Sequence, residues 1–361
     1  MREYVVKNGK KLRCGYTTGT CAAAAATAAA IMIFTGKAIE DVSVTLPDGD
    51  KITIKIENPY YKFQSASCCV RKDSGDDPDV TNGILIWASV KLDATDQISI
   101  DGGKGVGRIT QKGLGIPVGQ AAINSVPRKM ILENLRRVCE EYKYEGGMSV
   151  VISVPEGEEV AKKTFNPHLG IVGGISIIGT TGIVEPMSEK ALVDSLKIEM
   201  KVIREKGYDS ILAFPGNYAE KFIEQKLGIG GENCLKFSNY LGEVLDTAVE
   251  LGFREILIVG HIGKMVKVAG GMMNTHSNNG DFRMEMLSCY AALYGADSRA
   301  VEEILSCVTT EQALDVLEKL NIQDVVIRKI SERAEFYLSK RVANKIKTKL
   351  IIYSNDKGIL N

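Results

Sequence analysis

The stretch YTTGTCAAAAATAAAIMIF, residues 16–34, decides whether this chain folds as a soluble protein or as a membrane protein. Its apolar part, Cys21–Phe34, has 14 residues that are mostly weakly hydrophobic alanine, whereas a membrane-spanning helix needs about 20 apolar residues. A signal peptide is the stronger alternative, because the basic segment Lys10–Arg13 precedes the run. The run ends, however, in the bulky residues Ile31–Phe34 and not in a small-residue cleavage site. We therefore interpret the stretch as a helix of a soluble, cytoplasmic protein.

The residues in front of the alanines predict how this helix begins. Alanine has the highest helix propensity, and Thr18 or Thr20 is a suitable N-cap because its hydroxyl accepts hydrogen bonds from free N–H groups of the first turn. The backbone at Gly19 then leaves a helix N-terminus at which an anion could bind. A face made only of small side chains predicts close packing against another element or against a large flat ligand.

Composition excludes several functional classes. The chain has 361 residues, and its 45 basic and 45 acidic residues cancel, so no overall positive field indicates binding to nucleic acid or to an anionic membrane. Its eight cysteines include no CxxC pair, which argues against a zinc or iron–sulfur site. We expect them to be reduced, and the sequence leaves open whether Cys21, at a helix start, is reactive or only small. The 36 glycines are clustered, as in proteins whose backbone approaches a ligand closely.

The first half of the chain predicts a mixed α+β domain, residues 1–160, with antiparallel pairing. Residues 42–57 alternate apolar and polar around Pro47-Asp48-Gly49, which indicates a hairpin. The remaining elements are two strands, one amphipathic helix and one further strand, expected at residues 84–92, 96–100, 127–142 and 148–155.

The second half predicts a Rossmann-like α/β domain, residues 161–361, with a mainly parallel sheet and a helical C-terminal region. Short apolar strands alternate there with helices, which is the pattern of a parallel sheet. The domain boundary is expected within residues 155–168. The predicted strands are residues 170–179, 210–215, 234–239, 255–260 and 348–354.

Three of these strands end in polar glycine turns, namely Gly179–Gly182, Pro215–Tyr218 and Gly260–Lys264. Ligands of a parallel α/β sheet bind at the carboxyl ends of its strands, so the three turns predict one shared pocket. Each turn taken alone is equally consistent with a simple tight turn. None of them matches G-x-G-x-x-G or a Walker A loop, which disfavours a standard NAD or ATP site.

The densest group of polar side chains lies within residues 259–285. Lys264 and Lys267 share a helical face at i, i+3, and that arrangement suits carboxylates on a ligand; the alternative is a solvated surface face. Two of the three histidines, His261 and His276, lie in the same segment. The acidic loop 73–79 has the residue types of a magnesium site but lacks the D-x-D-x-D-G pattern, so turn formation is the simpler interpretation.

Six blocks resemble the CbiD family, the cobalt-precorrin-5B C(1)-methyltransferases of anaerobic cobalamin biosynthesis. The resemblance runs in order over nearly the whole chain, and the blocks are long. It departs at Thr27, at Asn82 and at Gln120-Ala121, where the family often has lysine, histidine and Glu-Pro, which affects single polar contacts. The blocks are GYTTGTCAAAAATAAA (15–30), SGDDPDVTNG (74–83), LGIPVGQAAINSVPRKMI (114–131), TFNPHLGIVGGISIIGTTGIVEPMS (164–188), FPGNY (214–218) and VGHIGKMVKVAGGMMNTHS (259–277).

The resemblance implies transfer of a methyl group from S-adenosylmethionine to ring carbon 1 of a cobalt-containing tetrapyrrole, which gives cobalt-precorrin-6A and S-adenosylhomocysteine. The cobalt belongs to the substrate, and we expect no protein-bound metal. His261 is the first candidate for handling a proton and Asp77 the second, although an electron-rich ring carbon needs no base. We expect neither a nucleic-acid nor a membrane partner and leave a homo-oligomer open.

On this hypothesis the methyl donor lies near the glycine turns and the macrocycle lies against the threonine turn, the acidic loop and the lysine pair. Two other classes remain as alternatives, a nucleotide-using α/β enzyme and a non-catalytic tetrapyrrole carrier. The residues assigned to the donor are Gly173, Gly174, Thr180, Thr181, Gly216 and Asn217. The residues assigned to the macrocycle are Thr17, Thr18, Gly19, Thr20, Asp76, Asp79, Lys264, Lys267, Asn274, Thr275 and His276.

Overall fold

The computed structural model describes residues 3–361, which divide into two compact units, the first ending at Glu189 and the second spanning Lys190–Asn361. The division thus lies after residue 189 and not after residue 160, where the sequence predicted it. The segment between these two positions belongs to the first unit because its short strands pair there. Ile171–Val172, for example, is antiparallel to Arg108–Ile109.

The first unit contains three helices and fifteen strands in the part of the chain that the structure describes. The helices are α1 (Thr18–Thr35), α2 (Ser125–Glu141) and α3 (Gly157–Ala161). The strands are β1 (Tyr4–Lys7), β2 (Lys10–Arg13), β3 (Gly15–Tyr16), β4 (Asp41–Thr45), β5 (Lys51–Lys55), β6 (Glu57–Lys62), β7 (Ser65–Arg71), β8 (Leu85–Asp93), β9 (Ile98–Gly102), β10 (Gly105–Val106), β11 (Arg108–Ile109), β12 (Gly147–Ser153), β13 (Ile171–Val172), β14 (Gly174–Ile175) and β15 (Ile183–Val184).

A five-stranded sheet in the order β6-β7-β8-β12-β9 forms the main layer of this unit. Its neighbours are antiparallel except β9 and β12, which are parallel. Ile86, Ala88 and Val90 alternate along β8 and are buried, because side chains at i, i+2 and i+4 of a strand share one face. The predicted hairpin is found as the antiparallel pair β4 and β5.

The alanine-rich helix α1 packs against α2, β7 and β8 in the core of the first unit. Every residue from Cys21 to Ala30 is at most 4 % exposed, so the small face contacts protein and not a flat ligand. Of the helices in residues 3–361, α1 is the one long and apolar enough to cross a membrane, and 78 % of that window is buried inside the protein.

The caps of α1 differ from the prediction at its start. The N-cap is Thr17 and neither Thr18 nor Thr20, because the hydroxyl of Thr17 accepts from the Thr20 N–H at 3.2 Å. The other two hydroxyls are bonded to a different segment, described below. The helix ends at Gly36 in the left-handed conformation, with φ of 62°, which glycine adopts without steric cost.

The second unit carries the mainly parallel sheet, whose strands are cited by residue range. In spatial order they are Cys234–Lys236, Ser210–Phe214, Glu255–His261, Lys347–Ser354 and Gly358–Ile359. The first four are parallel and the last is antiparallel. Residues 170–179, predicted as a strand of this sheet, are not part of it.

Helices cover this sheet in the second unit. They are α4 (Glu189–Glu205), α5 (Asn217–Phe222), α6 (Leu241–Glu250), α7 (Ile262–Ala269), α8 (Arg283–Leu293), α9 (Ser298–Ser306), α10 (Thr310–Lys319) and α11 (Gln323–Arg341), with a π-helical turn Ile223–Leu227 and a 3-10 turn Ser277–Asn279. Strand Ser210–Phe214 runs into α5, and strand Glu255–His261 runs into α7. Because the strands are parallel, both helix starts lie at the same edge of the sheet.

Candidate functional site

A cavity of about 590 Å³ lies at this carboxyl edge of the second unit's sheet. Its walls come from residues at the carboxyl ends of four parallel strands, from the helices that follow them and from the segment after α7. The lining residues are Pro215, Gly216, Tyr218, Ala219, Asn239, His261, Gly263, Lys264, Lys267, Thr275, His276, Ser277, Arg283, Tyr353 and Asn355. The edge of a parallel sheet therefore carries the pocket that two of the three glycine turns predict.

The cavity brings together predicted residues of both assigned groups. Gly216, assigned to the donor, lines it together with five residues assigned to the macrocycle or to proton transfer. Asn217 is the next residue along the chain, and its Oδ1 accepts from the ammonium of Lys236 at 2.9 Å. Asn274 caps the following turn, since its Oδ1 accepts from the His276 N–H. The five are His261, Lys264, Lys267, Thr275 and His276.

Lys264 and Lys267 give the cavity its positive charge. The Lys264 ammonium donates to Asn239 Oδ1 at 2.6 Å and to the Ser238 carbonyl at 3.1 Å. The Lys267 ammonium, in a residue only 4 % exposed, donates to the Gly280 carbonyl at 3.0 Å. Within residues 3–361, neither ammonium has a carboxylate within 4.0 Å. Burial, followed by the charge of Lys267, lowers the pKa of Lys264.

Arg283 adds a third cation, which the sequence placed in the polar segment without a role. Its guanidinium donates to both oxygens of Asp281, at 2.8 and 2.6 Å. The same hydrogen bond lowers the pKa of Asp281 to about 2. No aspartate or glutamate is among the lining residues of the cavity. Asp281 compensates Arg283, so the lysine pair supplies the uncompensated positive charge of the wall, which favours a ligand that carries carboxylates.

His261, the first candidate base, uses both ring nitrogens within the protein. Its Nδ1 accepts from the Gly263 N–H at 3.1 Å and so caps α7, and its Nε2 lies 2.9 Å from Glu311 Oε1. The hydrogen-bond network thus assigns the proton to Nε2. Glu311 has no signal in the sequence, because it stands 50 residues further along the chain.

The threonine turn before α1 is buried inside the first unit. The Thr18 hydroxyl accepts from the Ile178 N–H at 2.8 Å, and the Thr20 hydroxyl donates to the Gly182 carbonyl at 2.6 Å. At Gly19 a Cβ would lie 2.7 Å from Pro127 Cγ, and its N–H donates to the Ile178 carbonyl. The first N–H groups of α1, where the sequence predicted an anion, are therefore bonded by the chain itself.

The glycine turn Gly179–Gly182 also lies in the first unit and follows no strand of the parallel sheet. At Gly179 a Cβ would lie 2.2 Å from the hydroxyl oxygen of Thr17, so glycine is required there by packing. The expectation that three turns meet at one sheet edge is wrong for this turn. Of the remaining residues assigned to the donor, Gly174 packs against the Gly105 backbone, Thr181 bonds Ile183, and Gly173 and Thr180 are exposed.

The acidic loop is held by bonds within the first unit. Asp79 pairs with the buried ammonium of Lys72 at 2.7 Å. Burial acts to raise the pKa of Asp79, but the charge of Lys72 and the hydrogen bonds from Lys72 and Thr81 together lower it. Asp76 accepts from the Arg13 N–H and Asp77 from the Met187 N–H. These bonds fit the turn interpretation, and in residues 3–361 no group of three His, Cys, Asp or Glu residues is arranged to hold a metal ion.

Two titratable groups outside the predicted site have pKa values that burial shifts strongly. Cys21 is fully buried, which raises the pKa of its thiol to about 12, so it is a small core residue and not a reactive thiolate. Glu199 on α4 is half-buried, and burial raises its pKa to about 7 against the opposing charge of Lys236. The sequence gives no signal for Glu199, because its burial depends on tertiary packing.

Comparisons with known proteins agree along the whole chain. The family model CbiD matches residues 5–186, and the model of the CbiD C-terminal domain matches residues 274–361. A curated cobalt-precorrin-5B C(1)-methyltransferase of Ruminiclostridium cellulolyticum is 46 % identical over 98 % of this chain and 92 % of its own length. A curated cobalt-precorrin-5B C(1)-methyltransferase of a Thermoanaerobacter species is 44 % identical over 100 % of this chain and 98 % of its own length.

One solved structure is also similar. It is the 1.9 Å crystal structure of a cobalamin biosynthesis protein (CbiD) from Archaeoglobus fulgidus, 34 % identical in sequence. The match covers 77 % of this chain and 86 % of that chain, with a TM-score of 0.42. On the family models and the full-length relatives, this chain belongs to the CbiD family.

Proposed function

We propose that this protein transfers the methyl group of S-adenosylmethionine to C-1 of cobalt-precorrin-5B, giving cobalt-precorrin-6A and S-adenosylhomocysteine. Relatives that bear this activity in their names align over almost the entire chain. The structural observation that carries the proposal is the lysine pair Lys264 and Lys267 in a cavity whose lining residues include no aspartate or glutamate. A cobalt-tetrapyrrole fringed with carboxylates is the kind of substrate that such a cavity favours.

The lysine pair is assigned to the acid groups of the macrocycle. Both ammonium groups are bonded only to neutral oxygens, so each can add a charge-assisted hydrogen bond to an incoming carboxylate. Arg283 extends the positive wall while keeping its bond to Asp281. Thr275 and His276 complete the lining, and the Thr275 hydroxyl donates to Asn239 Oδ1, which also accepts from Lys264.

The methyl donor is assigned to the Gly216–Asn217 side of the cavity. S-adenosylmethionine supplies a methyl group on a positively charged sulfonium, which the lysine pair repels. At Gly216 a Cβ would meet no atom within 4 Å, so this wall has room for a ligand. Glu220, one turn further on α5, pairs with Lys236 at 2.7 Å, and the same ammonium donates to Asn217, so the charges beside Asn217 compensate each other. These residues fit the donor, and the strand order suggests a Rossmann-like use of the sheet edge.

The contribution of the protein to such a transfer is alignment and exclusion of water. The C–S bond breaks as the C–C bond at ring carbon 1 forms, and the electron pair of the broken bond stays on sulfur. A base is not needed for an electron-rich carbon. His261 would have to give up the hydrogen bond that its Nδ1 accepts from the Gly263 N–H before accepting a proton there. Asp77 accepts from the Met187 N–H through Oδ1, and a carboxylate has further lone pairs.

The test is a turnover assay with purified protein, S-adenosylmethionine labelled in the methyl group, and cobalt-precorrin-5B under anaerobic conditions. Label in the macrocycle together with an equal amount of S-adenosylhomocysteine supports the transferase. Macrocycle binding without donor binding or product identifies a carrier instead. Tighter binding of ATP than of S-adenosylmethionine identifies a nucleotide-using enzyme.

The matched control is Lys264→Met compared with Lys329→Met. Lys329 is a surface lysine of α11 that pairs with Glu332 and does not line the cavity. Loss of macrocycle affinity in the first variant and not in the second supports the assigned substrate side. Equal affinities in both variants would remove the lysine pair from the proposal.

A further inference from the structure

A chain of hydrogen bonds connects three segments at the rim of the cavity. Glu311, in the first turn of α10, contacts His261 Nε2, and His261 Nδ1 accepts from the Gly263 N–H in the first turn of α7. Glu311 is held in turn by Ser354, whose hydroxyl donates to its Oε2 at 2.5 Å, and by the Asn355 N–H at 3.2 Å. Two hydrogen bonds besides the contact with the imidazole therefore hold the Glu311 carboxylate in place.

The imidazole has no lone pair left for a substrate in this arrangement. A neutral histidine has one donor nitrogen and one acceptor nitrogen. Nε2 donates to Glu311, and Nδ1 accepts from Gly263. Tyr353, which packs edge-on against the ring with centroids 5.4 Å apart, further restricts its rotation.

We infer that His261 and Glu311 are positioning residues and that His261 is not the base of the reaction. They fix the first turn of α7, which contains Lys264 directly after the capped Gly263; Lys267 lies one turn further on the same helix. Fixing this turn orients both ammonium groups toward the cavity. The role of the two lysines as a carboxylate site rests on the proposed function; the cap itself does not.

The substitution His261→Asn separates the role of a helix cap from the role of a general base. Asparagine is among the best N-cap residues, because its side-chain oxygen accepts from the N–H of the second or third helical residue, which is the place of Gly263 here. It cannot act as a general base. His261→Asn thus keeps the cap and removes the base, whereas His261→Ala removes both.

The first experiment measures amide hydrogen exchange of residues 262–265 in the wild type and in both variants. Loss of an N-cap costs about 1 kcal/mol, which corresponds to a factor of about five. We expect roughly fivefold faster exchange in His261→Ala and near-wild-type exchange in His261→Asn. Equal exchange in all three proteins would overturn the cap.

The second experiment measures KM and kcat for the macrocycle in the same proteins. We expect His261→Ala to raise KM about fivefold with kcat changed less than twofold, and His261→Asn to restore KM. A kcat lost about equally, by 100-fold or more, in both variants would identify His261 as a base and overturn the inference.

Variants of Glu311 test the second link. Glu311→Gln keeps an oxygen that accepts from Nε2, so its KM is expected within about twofold of wild type, and Glu311→Leu is expected to raise KM as His261→Ala does. Glu318→Gln on the same helix, whose partner is Lys357, is the control. Unchanged KM in Glu311→Leu would remove this residue from the inference.

A failure of the proposed function gives a different pattern. If the wild type forms no product, titration with uroporphyrin, a flat tetrapyrrole with carboxylate side chains, replaces the KM measurement. The exchange rates then still decide the cap, and the uroporphyrin affinities of His261→Ala and His261→Asn decide whether the cap positions the lysines. Equal affinities in the two variants would overturn that step.

Discussion

Glu199 makes the second unit less stable at neutral and alkaline pH. Burial raises its pKa from the ordinary value of 4.5 to about 7. Between these two values the unfolded chain has released a proton that the folded protein still holds. Stability therefore falls as pH rises from about 4.5 to about 7 and is constant with respect to this group above that. The difference of about 2.5 pH units, at about 1.36 kcal/mol per unit, is at most about 3 kcal/mol.

The substitution Glu199→Gln removes the charge and keeps the shape. The free energy of unfolding of both proteins is measured in urea at pH 5 and at pH 8, followed by circular dichroism. From pH 5 to pH 8 the variant should gain roughly 2 kcal/mol relative to wild type. Any cost of a buried amide is the same at both pH values and cancels in the comparison.

Glu205→Gln is the control, because Glu205 lies on the same helix with an exposed side chain. This substitution also removes one negative charge, but from an exposed side chain. The stability of the Glu205→Gln variant relative to wild type should therefore change little with pH. If Glu199→Gln and wild type differ by the same amount at pH 5 and pH 8, the argument from burial is refuted.

Three further predictions follow from the ionised groups. Macrocycle affinity should fall at a pH below 10.5, the ordinary lysine value, because the pKa of Lys264 is lowered and a neutral amine does not pair with a carboxylate; a flat titration of Kd up to that pH would contradict this. Lys72→Met should destabilise the protein by roughly 3 kcal/mol in urea unfolding, since it leaves the carboxylate of Asp79 partly buried and unpaired, and the added change Asp79→Asn should recover most of the loss; no recovery would exclude this cause. In native protein at pH 8, iodoacetamide should modify the exposed Cys289 and not Cys21, whose thiol is buried with a pKa of about 12, as peptide mass spectrometry would show; early labelling of Cys21 would count against its burial.

Elements with a local cause were predictable from the sequence. The hairpin of residues 42–57 follows from strict alternation around a Pro-Asp-Gly turn, and the helix expected at 127–142 is found at Ser125–Glu141. The strands at 210–215 and 255–260 follow from short apolar runs that are followed by glycine turns. In each case the residues that fix the element are neighbours in the chain.

Features that depend on distant partners were not predictable. Residues 170–179 are apolar enough for a buried strand, but close backbone contacts between Gly174 and Gly105 place them in the first unit. The lysine pair was predicted because its i, i+3 spacing is visible in a sequence, and both residues line the cavity. Glu311 was missed because only folding brings it to His261.

The composition of α1 also affects how the chain behaves while it is being synthesised. The helix leaves the ribosome before β7, β8 and α2, which later cover it, have been made. Alanine forms helix without help from tertiary contacts, and each methyl group exposes little apolar area. The nascent segment can therefore be helical early while offering chaperones, translocation machinery and other unfinished chains few large side chains to bind. A leucine-rich helix would fill the same length of core, but during synthesis it would offer large apolar side chains to chaperones, translocation machinery and other unfinished chains.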